Sequence, residues 1–480
     1  MQAIVDLANI KIILPEIILL VTACLLILAT AFAKDQKSPI TYVLAQLGFL
    51  AAFWAVLCNM VLPGEVVFHG AFVGDALAHF LKAFSLAVCF LVTIYGREYV
   101  AERNIPLGEF YILLMFSVLG VCVLISAGNL LLLYLGLELL SLPLYAMVAL
   151  RHDSGRAAEA ATKYFVMGAL ASGILLYGIS MIYGATGSIV LVEINRISAQ
   201  AAQSSHLILS FGVVFLVVGM AFKLGAVPFH MWVPDVYDGA PTAVTTVLSS
   251  VPKIAAFAMV VRLLHDMVPA LQADWAQMWW LLAVTSIALG NVVAIAQTSL
   301  KRMLAYSSIA HVGYLGLAIM VGNNDAFSAA TFYIVTYALT SAAAFGLLSL
   351  LSRRGMELEK IEDLRGLNDR NPWLAFLMMM VMFSMAGIPP TVGFIAKLNI
   401  FRVVIASGHI VLAIYAILFA VVGCFYYLRV IKTLYFEAPA ASSAIVIAWD
   451  ARVVLSVNGL ALLALGIFPA ALLQATQAVF

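Results

Sequence analysis

The sequence predicts an all-α polytopic membrane protein with about fourteen transmembrane helices, and three observations carry that reading. Hydrophobic residues make up 64% of the 480 and charged residues only 10%, a balance that no water-facing globular surface accommodates. Apolar runs recur along the chain at lengths near the roughly 20 residues that cross about 30 Å of hydrocarbon. The cations gather in alternate connections between those runs, as the positive-inside rule requires.

In order, the predicted spans are 12–33, 41–62, 74–95, 108–126, 128–150, 160–184, 206–227, 242–264, 276–297, 303–321, 327–351, 372–401, 408–433 and 450–474. The first ends in "ATAFA", which resembles a cleavage site, but its run from Ile12 is long and its flank weakly basic, so it reads as a retained span. The fourth and fifth are short and meet at "SAGN". Connections one, three, five, nine, eleven and thirteen hold sixteen Lys and Arg, from Lys34 and Lys37 to Arg452; the other side holds Lys11, Arg196 and Arg262. Odd connections are therefore expected in the cytoplasm and both termini outside. The longest polar connection, 352–371, reads as a solvated cytoplasmic link, with a docking surface for another protein as the alternative, so residues 1–480 are expected to form a single membrane domain.

Composition excludes several functions. A net charge of +1 gives no reason to expect a nucleic-acid partner. Cys24, Cys58, Cys89, Cys122 and Cys424 lie singly in apolar runs with no CxxC pair, which argues against a thiolate metal or iron–sulfur site.

Six charges fall inside spans: Lys82, Lys163, Lys223, Lys253, Lys397 and Glu138. At about 2.5 to 3.5 kcal/mol each near a helix centre, they cost on the order of 15 to 20 kcal/mol together. Lys82 and Lys163 sit near span ends and can reach the interface by snorkelling. The other four are harder to account for by snorkelling or structural pairing. Glu138 in "LLLYLGLELLSLPLYAM" is followed by Pro143; a carboxylate there must be protonated or meet a cation, and Lys223 is the expected partner.

Proline removes a backbone donor and clashes with the preceding turn, so Pro228 in "KLGAVPFHMW" and Pro389-Pro390 in "MAGIPPTVGFIAKLN" should interrupt spans seven and twelve. These spans are five crossings apart and run in opposite directions, the pattern of an inverted-topology transporter with its ion site at the breaks. The expected organisation is three N-terminal helices (12–95), two inverted five-helix repeats (108–264 and 276–433) and a last helix (450–474). The eighth span adds Lys253, directly after Pro252 in "SSVPKIAAF". Carbonyls freed at a break need hydrogen-bond partners, and hydrated pockets beside lysines suit proton transfer. His230 and His311 are candidate extensions of such a relay, each equally readable as a satisfied core histidine. Two charges about 7 Å apart at an effective dielectric near 20 interact by roughly 2.4 kcal/mol, enough for one proton to set its neighbour's state.

The runs "VPFHMWVPDVYDGAPT" (227–242), "KRMLAYSSIAHVGY" (301–314) and "IEDLRGLNDRNPW" (361–373) resemble the antiporter-like membrane subunits of bacterial proton-pumping NADH:quinone oxidoreductase, respiratory complex I, across essentially the whole chain. "PDVYDGAPT" is similar to the N type. The chain lacks the C-terminal extension of the L type, and carries Lys397 where the M type is expected to have glutamate. The resemblance implies one proton channel built from a Glu138 and Lys223 pair, a central Lys253 and an exit-side Lys397, with Lys163 as a possible auxiliary. It also implies no cofactor in this chain, the FMN and iron–sulfur clusters belonging to partner subunits. Expected neighbours are an M-type subunit and small membrane subunits in a bacterial inner membrane. The alternative is a subunit of a multisubunit cation/proton antiporter, although a sodium or potassium site favours carboxylate oxygens and this intramembrane set is rich in lysine. An inert scaffold has no use for the buried charges.

Overall fold

The computed structural model describes residues 7–32, 39–60, 64–200, 203–352, 357–439 and 447–480. Lys34, Lys37, Arg353 and Arg354, four of the cations used to orient the chain, lie outside the described residues. Among the described residues thirteen helices are long and apolar enough to cross a membrane, and two 15-residue halves, Pro372–Ala386 and Val392–Ala406, make up one further crossing.

Local signals explain the boundaries. Asp75, Asn129, Ser154, Ser299, Asn323 and Asn371 each accept a hydrogen bond from the first turn of the helix they precede, satisfying donors that no carbonyl reaches, at about 1 kcal/mol per cap. Gly187 and Gly322 close the sixth and tenth spans in the left-handed conformation. "SAGN" is the turn between Leu107–Ile125 and Leu130–Val148. The last span is shorter than expected: Trp449–Ile467 stops before Pro469, and Ala470–Gln477 forms a separate helix. A short antiparallel hairpin, Glu65–Val67 with Phe72–Gly74, stands in the connection before the third span, where no strand was expected.

Spans eight (Thr242–Met267), ten (Leu300–Val321) and eleven (Asn324–Leu351) are almost wholly buried, and the other helices surround them. Span ten has the lowest mean hydropathy of the thirteen, 1.5, whereas the outer span Ile410–Phe436 reaches 2.4. In lipid the outside must be the more apolar surface, so polar side chains accumulate in the middle.

Lys82 corrects one expectation. It does not snorkel: its side chain is fully buried and its Nζ lies 2.6 Å from Glu16 Oε1 in the first span. Glu16 was available in the sequence, but 66 residues of separation concealed the pairing, and an ammonium with a close carboxylate has no need to reach the interface. Nearby, buried Arg262 holds Asp75 and Asp266 at 2.7 and 2.9 Å, tying the end of span eight to the cap of span three.

Candidate functional site

The two predicted breaks have the same backbone construction. Helix Gln203–Leu224 ends at Gly225 (φ 81°). The Gly225 N–H donates to the carbonyls of Ala221 and Phe222, and the Ala226 N–H reaches back to Ala221 at 2.8 Å. Helix Pro372–Ala386 ends at Gly387 (φ 82°), whose N–H donates to Phe383 and Ser384 while the Ile388 N–H reaches back to Phe383 at 2.9 Å. Both are glycine-closed helix ends of the kind that satisfies the carbonyls one turn back, and both leave the very last carbonyls free.

Those last carbonyls are where the lysines sit. Lys253 Nζ donates to Leu224 O at 2.9 Å. Lys397 Nζ donates to Ala386 O at 2.8 Å and to Met385 O at 3.1 Å. A helix C-terminus carries about half a negative charge, so each broken helix presents a negative end to a buried ammonium. Neither lysine has an ion-pair partner within 4 Å among the described residues, and the backbone supplies the counter-charge that a carboxylate would otherwise provide.

Gly387 is specific to this arrangement. A Cβ placed there would lie 2.8 Å from Lys397 Cδ and 3.3 Å from its Nζ, on a backbone that L side chains rarely adopt. Gly387→Ala is expected to push the Lys397 ammonium off its carbonyls and lower coupled pumping about tenfold, with the subunit still incorporated. Pumping in membrane vesicles, normalised to assembled complex, measures this; a wild-type rate would mean the ammonium position is unimportant.

Lys223 lies on the same helix end, one residue before Leu224. Its Nζ donates to Ser141 Oγ at 2.8 Å and lies 3.4 Å from the Tyr145 hydroxyl, both on the fifth span. The expected pair with Glu138 is therefore not a direct contact. The lysine bonds Ser141, one turn beyond Glu138, instead, and Glu138 Oε1 is buried with no hydrogen-bond partner among the described residues. Glu138 shares a face of its helix with Leu131, Leu135 and Leu142, each more than half exposed; positions i, i+4, i+7 and i+11 fall on one stripe. The carboxylate thus sits at the edge of the chain, between the lysine line and an outer apolar surface.

His311 is buried beyond Lys253. Its Nδ1 is 2.6 Å from the Tyr333 hydroxyl and its Nε2 3.3 Å from that of Tyr427, and it lies within electrostatic reach of both Lys253 and Lys397. A cavity of about 20 Å³, lined by His311, Thr336, Thr340 and Ser384 together with Met385 and Ala396, continues from it towards Lys397. That volume holds one water, and its lining offers several polar partners. Lys253 faces the Tyr337 ring at 6.0 Å and Lys397 the Tyr314 ring at 5.2 Å.

Two candidates are placed elsewhere. Lys163 is 41% exposed and bonds Glu159 and Asp235, both at 2.8 Å; Arg302 shares Asp235 at 2.9 Å. It therefore belongs to a surface cluster beside the second half of span seven. His230 is in the turn between Leu224 and Trp232, next to exposed Pro228 and Met231, and no hydrogen bond joins it to Lys223, Lys253 or His311. Ser141, Tyr145 and Tyr337 were missed because hydroxyls occur in most spans, and only packing distinguishes the ones that touch an ammonium.

Residues 127–423 match the family described as NADH:quinone oxidoreductase/Mrp antiporter, TM. The NADH-quinone oxidoreductase subunit N of Thioalkalivibrio sulfidiphilus is 48% identical over 462 residues, 96% of each chain. That of Herminiimonas arsenicoxydans is 49% identical over 485 residues, 97% of each. Among solved structures, a chain of respiratory complex I from Thermus thermophilus with bound aureothin superposes with a TM-score of 0.83 at 33% identity, covering 96% of this chain and 99% of that one. A chain of the Mrp complex from Dietzia sp. superposes at 0.86 with 18% identity, covering 98% and 97%, and shares the fold.

Proposed function

The chain belongs to the NADH:quinone oxidoreductase/Mrp antiporter family, among its N-type subunits, and from that premise we propose that its buried lysines carry the protons this subunit moves. It is a multi-pass, proton-translocating membrane-arm subunit of NADH:quinone oxidoreductase. The fold is shared with a chain of an Mrp complex and does not separate the two kinds of assembly; 48% and 49% identity to subunit N over 96% and 97% of the chain does.

The observation that carries the residue assignment is the placement of Lys253 and Lys397 on the free carbonyls of the two broken helices. Spans four to eight and nine to thirteen act as inverted repeats, each contributing one break. Glu138 senses charge at the edge of the chain, where a neighbouring membrane subunit covers the stripe of Leu131, Leu135 and Leu142. A change there shifts Lys223, which is tied to the same helix through Ser141. Lys223 drives a proton to Lys253, whose carbonyl partner Leu224 is the next residue along. His311 and the water-sized cavity beside it pass the proton to Lys397, which releases it outside. Quinone reduction supplies the initial perturbation from other subunits, where the FMN and iron–sulfur clusters reside. The membrane is the bacterial inner membrane, with the cation-rich connections in the cytoplasm.

The test uses the assembled enzyme in inverted membrane vesicles. Lys253→Arg keeps a cation that never deprotonates, so NADH-driven acidification should fall about tenfold or more while the complex remains assembled. Wild-type acidification would remove Lys253 from the path.

A further inference from the structure

We propose that a polar cavity on the cation-rich side is the proton inlet of this chain, and that Lys301 is the residue that passes protons from it to the lysine line. The proposal rests on the translocation reading above and extends it to a residue that sequence reasoning left among the loop cations.

The cavity has a volume of about 470 Å³. Its walls come from connections three, five and eleven, the start of span ten and the junction of spans seven and eight, so every wall belongs to the same face of the molecule. Acids and bases alternate around it. Glu357 accepts hydrogen bonds from Tyr99, from Arg151 at 3.0 Å and from Thr242 at 3.1 Å. Arg156 bridges Asp238 and Glu359 at 3.0 and 2.8 Å. Burial would push the Glu357 carboxyl up, but the charges of Lys301 and Arg103 and the Tyr99 hydroxyl hold it below its ordinary range, so the rim stays ionised and hydrated.

Lys301 forms the inner wall. It is 2% exposed, and its Nζ donates to Ala240 O at 2.9 Å and Asp238 O at 3.3 Å, at the end of helix Trp232–Gly239. This is the third use of one device: Lys253, Lys397 and Lys301 each rest on carbonyls where a half-helix of a broken span ends. A lysine serving only as surface charge has no reason to share that construction.

A polar route leads inward from Lys301. Ser308 lies two turns further along the same helix, on the same side. Its Oγ is buried beside the hydroxyls of Tyr237 and Tyr337. Ser341 Oγ, also buried, lies beside the Tyr337 hydroxyl as well. These buried hydroxyls make a polar line from the Lys301 helix to Tyr337, along which protons can be relayed. The Tyr337 ring then faces Lys253. Each step transfers one proton along hydroxyls and water, leaving Lys301 neutral until the cavity reprotonates it.

Three variants in the assembled enzyme, assayed in inverted vesicles, test this. Lys301→Met and Lys301→Arg should each lower NADH-driven acidification about tenfold, because arginine preserves the contacts to Asp238 and Ala240 yet releases no proton. Full rescue by Lys301→Arg would make Lys301 a structural cation and overturn the proposal. Asp153→Cys, at the solvent edge of the cavity, should lose most of its own untreated acidification once a membrane-impermeant sulfonate thiol reagent fills the mouth, while wild type given the same reagent keeps its rate. Unchanged pumping after complete labelling would also overturn the inlet, and this arm decides the matter if Lys301→Met does not assemble. Should Lys253→Arg abolish pumping while both Lys301 variants and the labelled cavity pump normally, the inlet fails and the lysine line stands. Normal pumping by Lys253→Arg would instead sink the line itself.

Discussion

Lys223→Ala in the assembled enzyme is expected to remove most coupled proton pumping and most NADH:quinone turnover, by about 10²-fold, the lower range for loss of a positioned proton-transfer group. The ammonium is the link between the outer carboxylate and the inner line. Its contacts are Ser141 at 2.8 Å and Tyr145 at 3.4 Å on one side, and its chain neighbour Leu224 carries the carbonyl that holds Lys253 on the other. Alanine leaves both halves in place and takes away the charge that connects them. The measurement is acidification and NADH oxidation in the same vesicles, with assembly checked by subunit content. Pumping near the wild-type rate would remove Lys223 from its central place, whereas turnover without pumping would show that it couples but does not gate quinone chemistry.

Replacing Lys397 is expected to stop release, again by about 10²-fold in pumping, and the choice of substitute is informative. Alanine leaves the Met385 and Ala386 carbonyls without the donor they now have at 3.1 and 2.8 Å. Glutamate keeps a titratable group of similar reach, yet an ionised carboxylate would face two carbonyl oxygens at the negative end of a helix. Lys397→Glu should therefore be as impaired as Lys397→Ala. Substantial activity in the glutamate variant alone would show that any titratable group suffices there and that the helix end does not select for an ammonium.

Much of the site could be read from residue types. Prolines at 228 and 389–390 marked both interruptions, and the structure breaks the chain at Gly225 and Gly387, just before them. Lys223, Lys253, Lys397 and Glu138 stood out because an ionisable group in hydrocarbon is costly wherever it occurs. Glu138 was harder to place: its position within a span was evident, but not that it sits on the stripe of exposed leucines, nor that Lys223 bonds Ser141 in its place. Lys82 and Lys301 were misjudged in the same way. Both lie near span ends, where a lysine ordinarily reaches water, and both are buried because a carboxylate in one case and two carbonyls in the other meet them inside.

The amino-acid sequence by itself determined that this chain is a bundle of membrane helices, where two of them break, and which charges lie too deep to be idle. Those properties are local, since transfer from water to hydrocarbon and the missing proline N–H act residue by residue. Only the tertiary structure decided what each charge meets: Lys253 on a carbonyl 29 residues away, Lys223 on a hydroxyl 82 away, Lys301 on a helix end 61 away. Such partners are chosen by how distant helices pack, and the energy of a buried ammonium depends on the few ångströms that packing sets.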